Sequence, residues 1–434
     1  MSELDIGLLL IGAMAVLVLA GMQIGVALVM LSFLGVWAIR DNFELAGRLL
    51  AIASYNAISD YLFASIPLFV LMGLLVAVSD IGKDTFDVAQ YLLRRVKGGL
   101  GMATVAANAV FAAVTGISVA SAAVFTKVAV PQMVRFGYTA KFAVGTVAGS
   151  SILGMLIPPS LLMIIYGVLA EVSIGKMFIA GLLPGLLMTV AFMGMIALLA
   201  RYRPEFVGQA GPVEVPRETP ATLATKALPV TLLVAFVLGG LYTGWFTPTE
   251  AGAAGAFGAL VITLARRRLT LSRFWRILTE TGYVSVGILF LLIAANMYSR
   301  MLAMAGVPNA VGDMIENLGL GVAGFLLVYV GFVVLLGMII DSSSILLIVV
   351  PIAVPIARDF GMDLIHFGVI TVIAVEIGLL TPPFGISAFA VKATLNDKRI
   401  GLETIFAGAF PFVLCMLVVL AVVCVLPGLS LALV

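Results

Sequence analysis

GSSILGMLIPPS (Gly149 to Ser160) and EIGLLTPPFG (Glu376 to Gly385) are the stretches that decide the fold. Each is an apolar helical run that meets two adjacent prolines. Such a pair removes two backbone donors and clashes with the preceding turn, so the helix has to open there. One break alone reads as a kink, but two in the same register read as a built discontinuity. At an offset of 224, Ala129 to Pro159 aligns without a gap with Ala353 to Pro383, and nine of the 31 pairs are identical. Roughly three identities would arise by chance in so biased a composition. The matches gather at residues that shape the backbone: Pro131 with Pro355, Gly137 with Gly361, Gly154 with Gly378, and Pro158 and Pro159 with Pro382 and Pro383. The sequence therefore predicts a duplication.

The surroundings of these runs exclude a soluble domain. Of 434 residues, 62% are hydrophobic and 11% charged, with a mean hydropathy of +1.22; lipid has to cover most of such a surface. Runs such as Ile6 to Met22, Ile66 to Val78 and Ala409 to Leu426 approach or reach the roughly 20 residues a helical crossing needs. Continuous apolar runs, rather than dyad alternation, predict helices and not a β-barrel. The fold class is an all-α polytopic membrane protein. Met1 to Asp5 is acidic where a signal peptide would be basic, so the first helix is expected to stay. Cys415 and Cys424 stand nine apart in one apolar run, and His366 is the sole histidine; neither forms a metal-ligand pattern.

Basic residues set the orientation. Nineteen of the 24 lysines and arginines fall in alternate segments: Lys83 to Lys97, Lys127 to Lys141, Arg201 to Lys226, Arg266 to Arg276, and Lys392 to Arg399. One topology satisfies them, with basic segments cytoplasmic and both termini outside, provided that Leu100 to Val130 and Leu320 to Pro355 enter and leave on the same side. These are expected to be re-entrant hairpins. Arg135 and Lys141 then lie inside while their counterparts Asp359 and Ile365 lie outside, so the two copies are inverted. The expected organisation is a first repeat over 1–200, with a hairpin near 100–130 and a broken helix near 142–168. A proline-rich cytoplasmic linker follows over 201–227, then a second repeat over 228–434, with a hairpin near 320–355 and a broken helix near 365–391.

Inverted repeats with discontinuous helices are a recurrent design of secondary transporters, whose sites lie where the breaks meet near the midplane. Each hairpin here has a small, polar centre: Thr115, Gly116, Ser118 and Ser121 in the first, and Gly337, Asp341, Ser342, Ser343 and Ser344 in the second. Irregular backbone at membrane depth has to be buried in protein or line a wet cavity. Its freed carbonyls and hydroxyls suit a hard monovalent cation, and half-helix N-termini suit an anion. Close packing of small residues is the plainer reading of any one serine; two clusters at equivalent places favour a site. Of the charges within apolar runs, Lys127 and Arg300 can snorkel, and Glu250 in WFTPTEAG suits a helix start. Asp341 and Glu376 are left as the carboxylates expected to line the site.

At these residues the chain resembles the large membrane subunit of tripartite ATP-independent periplasmic (TRAP) transporters. The resemblance spans essentially the whole chain and rests on LGMLIPPS with IIYG (Leu153 to Ser160, Ile164 to Gly167), FTPTEAGA (Phe246 to Ala253), the Asp341 hairpin with PIAVPIA (Pro351 to Ala357), and LLTPPFG (Leu379 to Gly385). It implies a sodium-driven importer of organic acids, such as C4-dicarboxylates or sialic acid-like sugar acids, in the bacterial inner membrane. The implied movement is an elevator in which a domain holding both hairpins slides against a scaffold. Two protein partners are implied as well, a separate small membrane subunit of about four helices and a periplasmic solute-binding protein. Carried onto this sequence, one sodium site takes Thr115, Gly116, Ser118, Gly149, Ser151, Gly154 and Pro158. The other takes Gly337, Asp341, Ser342, Gly378, Thr381 and Pro382, and Ser121, Ser150, Ser343 and Glu376 are assigned to the substrate. Sodium is the coupling ion, with no other metal, no cofactor and no nucleic acid expected.

Other classes fit less well. A two-component dicarboxylate or citrate carrier shares the hairpins but needs no binding protein. An intramembrane protease needs a base beside its nucleophile or an aspartate pair, and neither His366 nor the isolated Asp341 supplies one. A passive channel needs a ring of subunits or polar stripes, which the sequence lacks.

Overall fold

The computed structural model describes residues 2–59, 61–208, 219–395, 397 and 399–434. Among them every regular element is a helix, and the one β-type pairing is an isolated bridge between Tyr138 and Gly208. Among the described residues, seven helices are long and apolar enough to cross a membrane, or eight if the bent pair Ala140–Leu156 and Leu161–Leu169 is one span. Local chemistry places their starts. Thr247 and Glu250 form a capping box with Pro248 in the first turn of Pro248–Ala265, so Glu250 caps a helix start as its position suggested. Thr139 caps Ala140–Ser151 through Phe142 N, and Asp363 caps Leu364–Leu380 through Ile365 N and His366 N.

Each stretch expected to form a hairpin contains two consecutive helices. The first holds Gly99–Thr115 and Ser118–Arg135, the second Gly321–Gly337 and Ser342–Asp359. Their outer ends run further than Val130 and Pro355, because prolines 131, 351 and 355 sit inside the helices without ending them. Lys127 accordingly lies within a helix, exposed, and not in an interhelical segment. Helix starts match at the 224 offset: Ser118 and Ser342 each open an 18-residue helix, and Ala140 and Leu364 each open the helix that leads into a break. The offset shifts at the tips. Two residues, Gly116 and Ile117, join the first hairpin, whereas four, Met338 to Asp341, join the second.

The expected linker over 201–227 is shorter than its composition suggests. Residues 209–218, including Pro212, Pro216 and Arg217, lie outside the described residues, as does Lys398. At its near end Pro204–Val207 is helical and tied to the first half, since Thr139 N donates to Val207 O at 3.0 Å and Thr139 Oγ1 to Phe206 O at 2.6 Å. At its far end Thr219 caps Pro220–Tyr242, with Pro220 in the first turn, so Lys226 already belongs to a helix. Proline opened a helix there rather than marking a loop.

The two halves pack by exchange. Leu161–Leu169, the helix after the first break, packs on Ser342–Asp359 of the second hairpin; Ile386–Thr394, after the second break, packs on Ser118–Arg135 of the first. Likewise Ile24–Arg40 packs on Leu271–Met304, and Pro248–Ala265 on Ser65–Val78. Tyr166 OH donates to Leu364 O at 2.6 Å across this seam, and Gly368 admits the Tyr166 ring against the helix backbone. The core is therefore continuous between the halves and centred on the broken helices, where every residue from Phe367 to Leu380 is buried.

Candidate functional site

The hairpin tips lie on the breaks. In the first half, Ser160 ends the break and caps Leu161–Leu169, and its hydroxyl also donates to Met155 O, closing the break on itself. Leu161 N then donates to Gly116 O at 3.3 Å. Gly116 has φ +63° and a Cβ there would stand 2.5 Å from Pro159 O; a Cβ on Gly154 would stand 3.1 Å from Ser118 N. Only glycine satisfies both the left-handed turn and that approach. In the second half, Phe384 N donates to Met338 O at 3.2 Å, the same relation one copy on. Gly337 and Gly378 bring the hairpin arm and the broken helix into backbone contact. The peptides Pro158-Pro159 and Pro382-Pro383 are both cis.

The structure thus gathers Thr115, Gly116, Ser118, Gly154 and Pro158 at one junction and Gly337, Gly378, Thr381 and Pro382 at the other, with Asp341 and Ser342 opening the adjoining helix. Gly149 is separated from its group: more than a turn from Gly154, it faces the Phe412 ring of Leu402–Val425. Five helical steps turn the backbone through about 140°, so the two glycines cannot share a face. Ser151 Oγ bonds back to Ala148 O at 2.8 Å. Asp341 is the N-cap of Ser342–Asp359; Oδ1 accepts from Ser344 N at 3.1 Å and Oδ2 from the Ser344 hydroxyl. Ser343 is half-buried beside it, whereas Glu376 is fully buried and neither carboxylate oxygen meets a partner among the described residues.

The two junctions differ in cover. Thr115, Ser118, Pro158 and Pro159 are buried, and Phe69, Val70 and Met72 of Ser65–Val78 close over the tip, leaving a void of about 10 Å³ lined by Thr115, Gly116 and Pro159. That is near the smallest space that holds one water. At the second junction Asp341, Pro382, Pro383 and Phe384 are exposed.

Comparison with known proteins fits this architecture. The family model for the DctM component of tripartite ATP-independent periplasmic transporters matches residues 11–429. The chain belongs to that family. This DctM-family chain is 36% identical over 387 residues to the C4-dicarboxylate TRAP transporter large permease protein DctM of Pseudomonas aeruginosa, covering 89% of each. It is 30% identical to the sialic acid TRAP transporter permease protein SiaT of Haemophilus influenzae, with 84% of this chain matched to 58% of that longer protein. Among solved structures, the YdaH transporter of Alcanivorax borkumensis superposes with a TM-score of 0.63 at 14% identity, over 91% of this chain and 90% of that one; that likeness concerns the fold.

One polar group in the DctM-family core escaped sequence reading. Asn108, in the middle of Gly99–Thr115, donates from Nδ2 to Ser150 Oγ at 2.6 Å, and Ser150 passes the bond to Thr146 O at 2.7 Å. Ser150, expected to meet substrate, is occupied in clamping the hairpin to its broken helix. Asn108 Oδ1, Ser121 Oγ and Thr146 Oγ1 have no partner among the described residues. An asparagine in an alanine-rich apolar helix was the available signal, since a buried amide requires partners.

Proposed function

We propose that this DctM-family permease is a sodium-coupled secondary importer of organic acids across the inner membrane, taking carboxylates of the C4-dicarboxylate or sialic acid-like kind from a periplasmic binding protein and working with a separate small membrane subunit. The observation that carries the reading is the matched pair of junctions, in which a backbone N–H beyond each Pro-Pro break is held by a carbonyl of its own hairpin tip. Each junction brings backbone carbonyls and hydroxyls together at the ends of half-helices, the ligand type a monovalent cation takes. Sodium bound at each junction orders the hairpin against the break and completes an anion site between the tips. Solute movement without sodium is then uphill.

The repeats run in opposite senses with the basic segments cytoplasmic. The covered first junction and the open second one are the asymmetry that alternating access requires, and an elevator slide of both hairpins past Ser65–Val78 exchanges them. The names of relatives supply the acid classes to try.

The test is uptake into proteoliposomes holding this chain with its small subunit, using a labelled panel of C4-dicarboxylates and sialic acid with the binding protein encoded beside it. Uptake of one acid that needs an inward sodium gradient and the binding protein is the expected result. Sodium-driven uptake by this chain alone would instead place it with two-component carriers, and uptake indifferent to sodium would overturn the proposal.

A further inference from the structure

The helix Ile81–Leu93 joins Ser65–Val78 to the first hairpin; Asp80 stands at its N-cap, and Asp84 and Asp87 follow on its first turns. All three are paired, and all with residues from the second half of the chain. Asp87 Oδ2 meets Lys226 Nζ at 2.8 Å, Asp84 meets Arg266, and Asp80 Oδ2 meets an Arg268 terminal nitrogen at 2.5 Å. Arg266 also donates to Ser79 O at 3.3 Å, so one guanidinium holds both the turn before the helix and its first winding. The side chains of the Asp87 and Asp84 pairs are about a fifth exposed, so salt screens them less than it does exposed pairs. Separating a partly desolvated pair leaves charges short of compensation, a larger cost than breaking an exposed one.

The opposite face of the same helix is held differently. Ile81, Phe86 and Ala89 are buried on apolar neighbours, and Gly82 abuts Val124 and Phe111 of the first hairpin. Toward the hairpin the packing leaves a cavity of about 320 Å³ bounded by Ala89, Leu93, Ala106, Ala107, Val110 and Val230. Small apolar surfaces of this kind can slide, because one apolar contact replaces another. Beyond Leu93 the chain turns through Arg94 to Gly98, with Gly98 at φ +77°, and among the described residues no carboxylate pairs with Arg94, Arg95 or Lys97. The counterpart helix Val307–Asn317 has no ion pair among the described residues.

We infer that Asp80, Asp84 and Asp87 moor Ile81–Leu93 permanently to the static part of the permease through Arg268, Arg266 and Lys226, so that the moving body begins at the Arg94 to Gly98 turn. The inference rests on the sliding movement of the proposed function. The three aspartates are positioning residues, touching neither solute nor ion.

The experiment uses the complete transporter in proteoliposomes, with Cys415 and Cys424 replaced by serine and the acid that the uptake panel identifies. Asp87→Cys with Lys226→Cys removes one mooring pair, and a short bis-maleimide restores a link between the same helices. A second pair, Val110→Cys with Thr231→Cys, links the hairpin to Pro220–Tyr242 across the 320 Å³ cavity. Uptake by the unlinked Asp87/Lys226 variant is expected to fall about three- to tenfold in maximal rate, with the half-saturating solute concentration unchanged. Linking recovers it, whereas linking Val110 to Thr231 arrests uptake. Arrest on linking the Asp87/Lys226 pair would overturn the mooring. Tolerance of both links would overturn the sliding movement and, with it, the assignment of this helix to the static part. Charge exchange, Asp87→Lys with Lys226→Asp, is a second check: a merely structural loss would not be rescued by reversing the pair.

Discussion

Gly337 and Gly378 stand so close that a Cβ built on either comes within 2.7 Å of the other's Cα, 2.7 Å in one direction and 2.6 Å in the other. The contact is backbone on backbone and fixes how far the second hairpin can descend on its broken helix. Gly378→Ala or Gly337→Ala forces the pair apart, and overpacking of this kind costs about 1–3 kcal/mol. The expected outcome is a rise of about five- to a hundredfold in the sodium concentration for half-maximal uptake, since 1.4 kcal/mol is a factor of ten. Unchanged sodium dependence in both variants would mean that the second junction holds no ion.

Asp341 can act as a cap, as a cation ligand, or as both, and two substitutions separate these roles. Asn keeps the capping geometry and removes the charge; Ala removes both, at a cost of about 1 kcal/mol for the cap. If the carboxylate only caps, Asp341→Asn transports and melts like the parent while Asp341→Ala loses a few degrees. A ligand role instead weakens sodium dependence in Asp341→Asn with thermal stability intact, and this is the expected pattern.

Asn108→Ala removes the amide that bridges the first hairpin to its broken helix and leaves Ser150 with only the carbonyls of its own helix, Thr146 O and Val147 O. Loss of a buried polar partner costs roughly 1–3 kcal/mol. Thermal unfolding of the purified permease should register that loss, and uptake should fall with it. A melting temperature equal to the parent's would show that the bridge is dispensable.

Ser342→Ala and Pro382→Ala are expected to weaken sodium dependence, the first by removing a hydroxyl beside the exposed junction and the second by letting the helix propagate into the break. Glu205→Gln, on the exposed start of the linker segment, is the comparison and should leave it unchanged. Measuring uptake against sodium concentration for the three variants decides the assignment, and equal curves would sink it.

Much of this arrangement was legible in the residues because proline and glycine act locally. The breaks at Pro158 and Pro382, the paired helix starts at Ser118 and Ser342, and the cap at Glu250 all follow from one or two side chains and their immediate backbone. Tip length was not legible: Gly116 and Ile117 do in two residues what Met338 to Asp341 do in four, and neither stretch has a period to count. That Gly149 faces Phe412 and not the Gly154 junction depends on rotation along the helix, which a list of positions does not carry. Asn108 with Ser150, Asp87 with Lys226 and Tyr166 with Leu364 join residues 42, 139 and 198 positions apart. Such contacts depend on how helices pack, which composition does not encode.

The exchange of helices between the halves bears on how the chain is made. Ser118–Arg135 leaves the ribosome roughly 250 residues ahead of Ile386–Thr394, the helix that packs on it, a wait on the order of tens of seconds at bacterial synthesis rates. Through that interval the first hairpin carries its small polar tip in the bilayer, together with an amide oxygen that has no partner among the described residues, while the later helices that pack on it, Pro220–Tyr242 and Ile386–Thr394, are still to be made. An insertase or the small subunit that shields it during synthesis would govern the yield of active permease, and truncations ending before residue 386 should be degraded rather than accumulate.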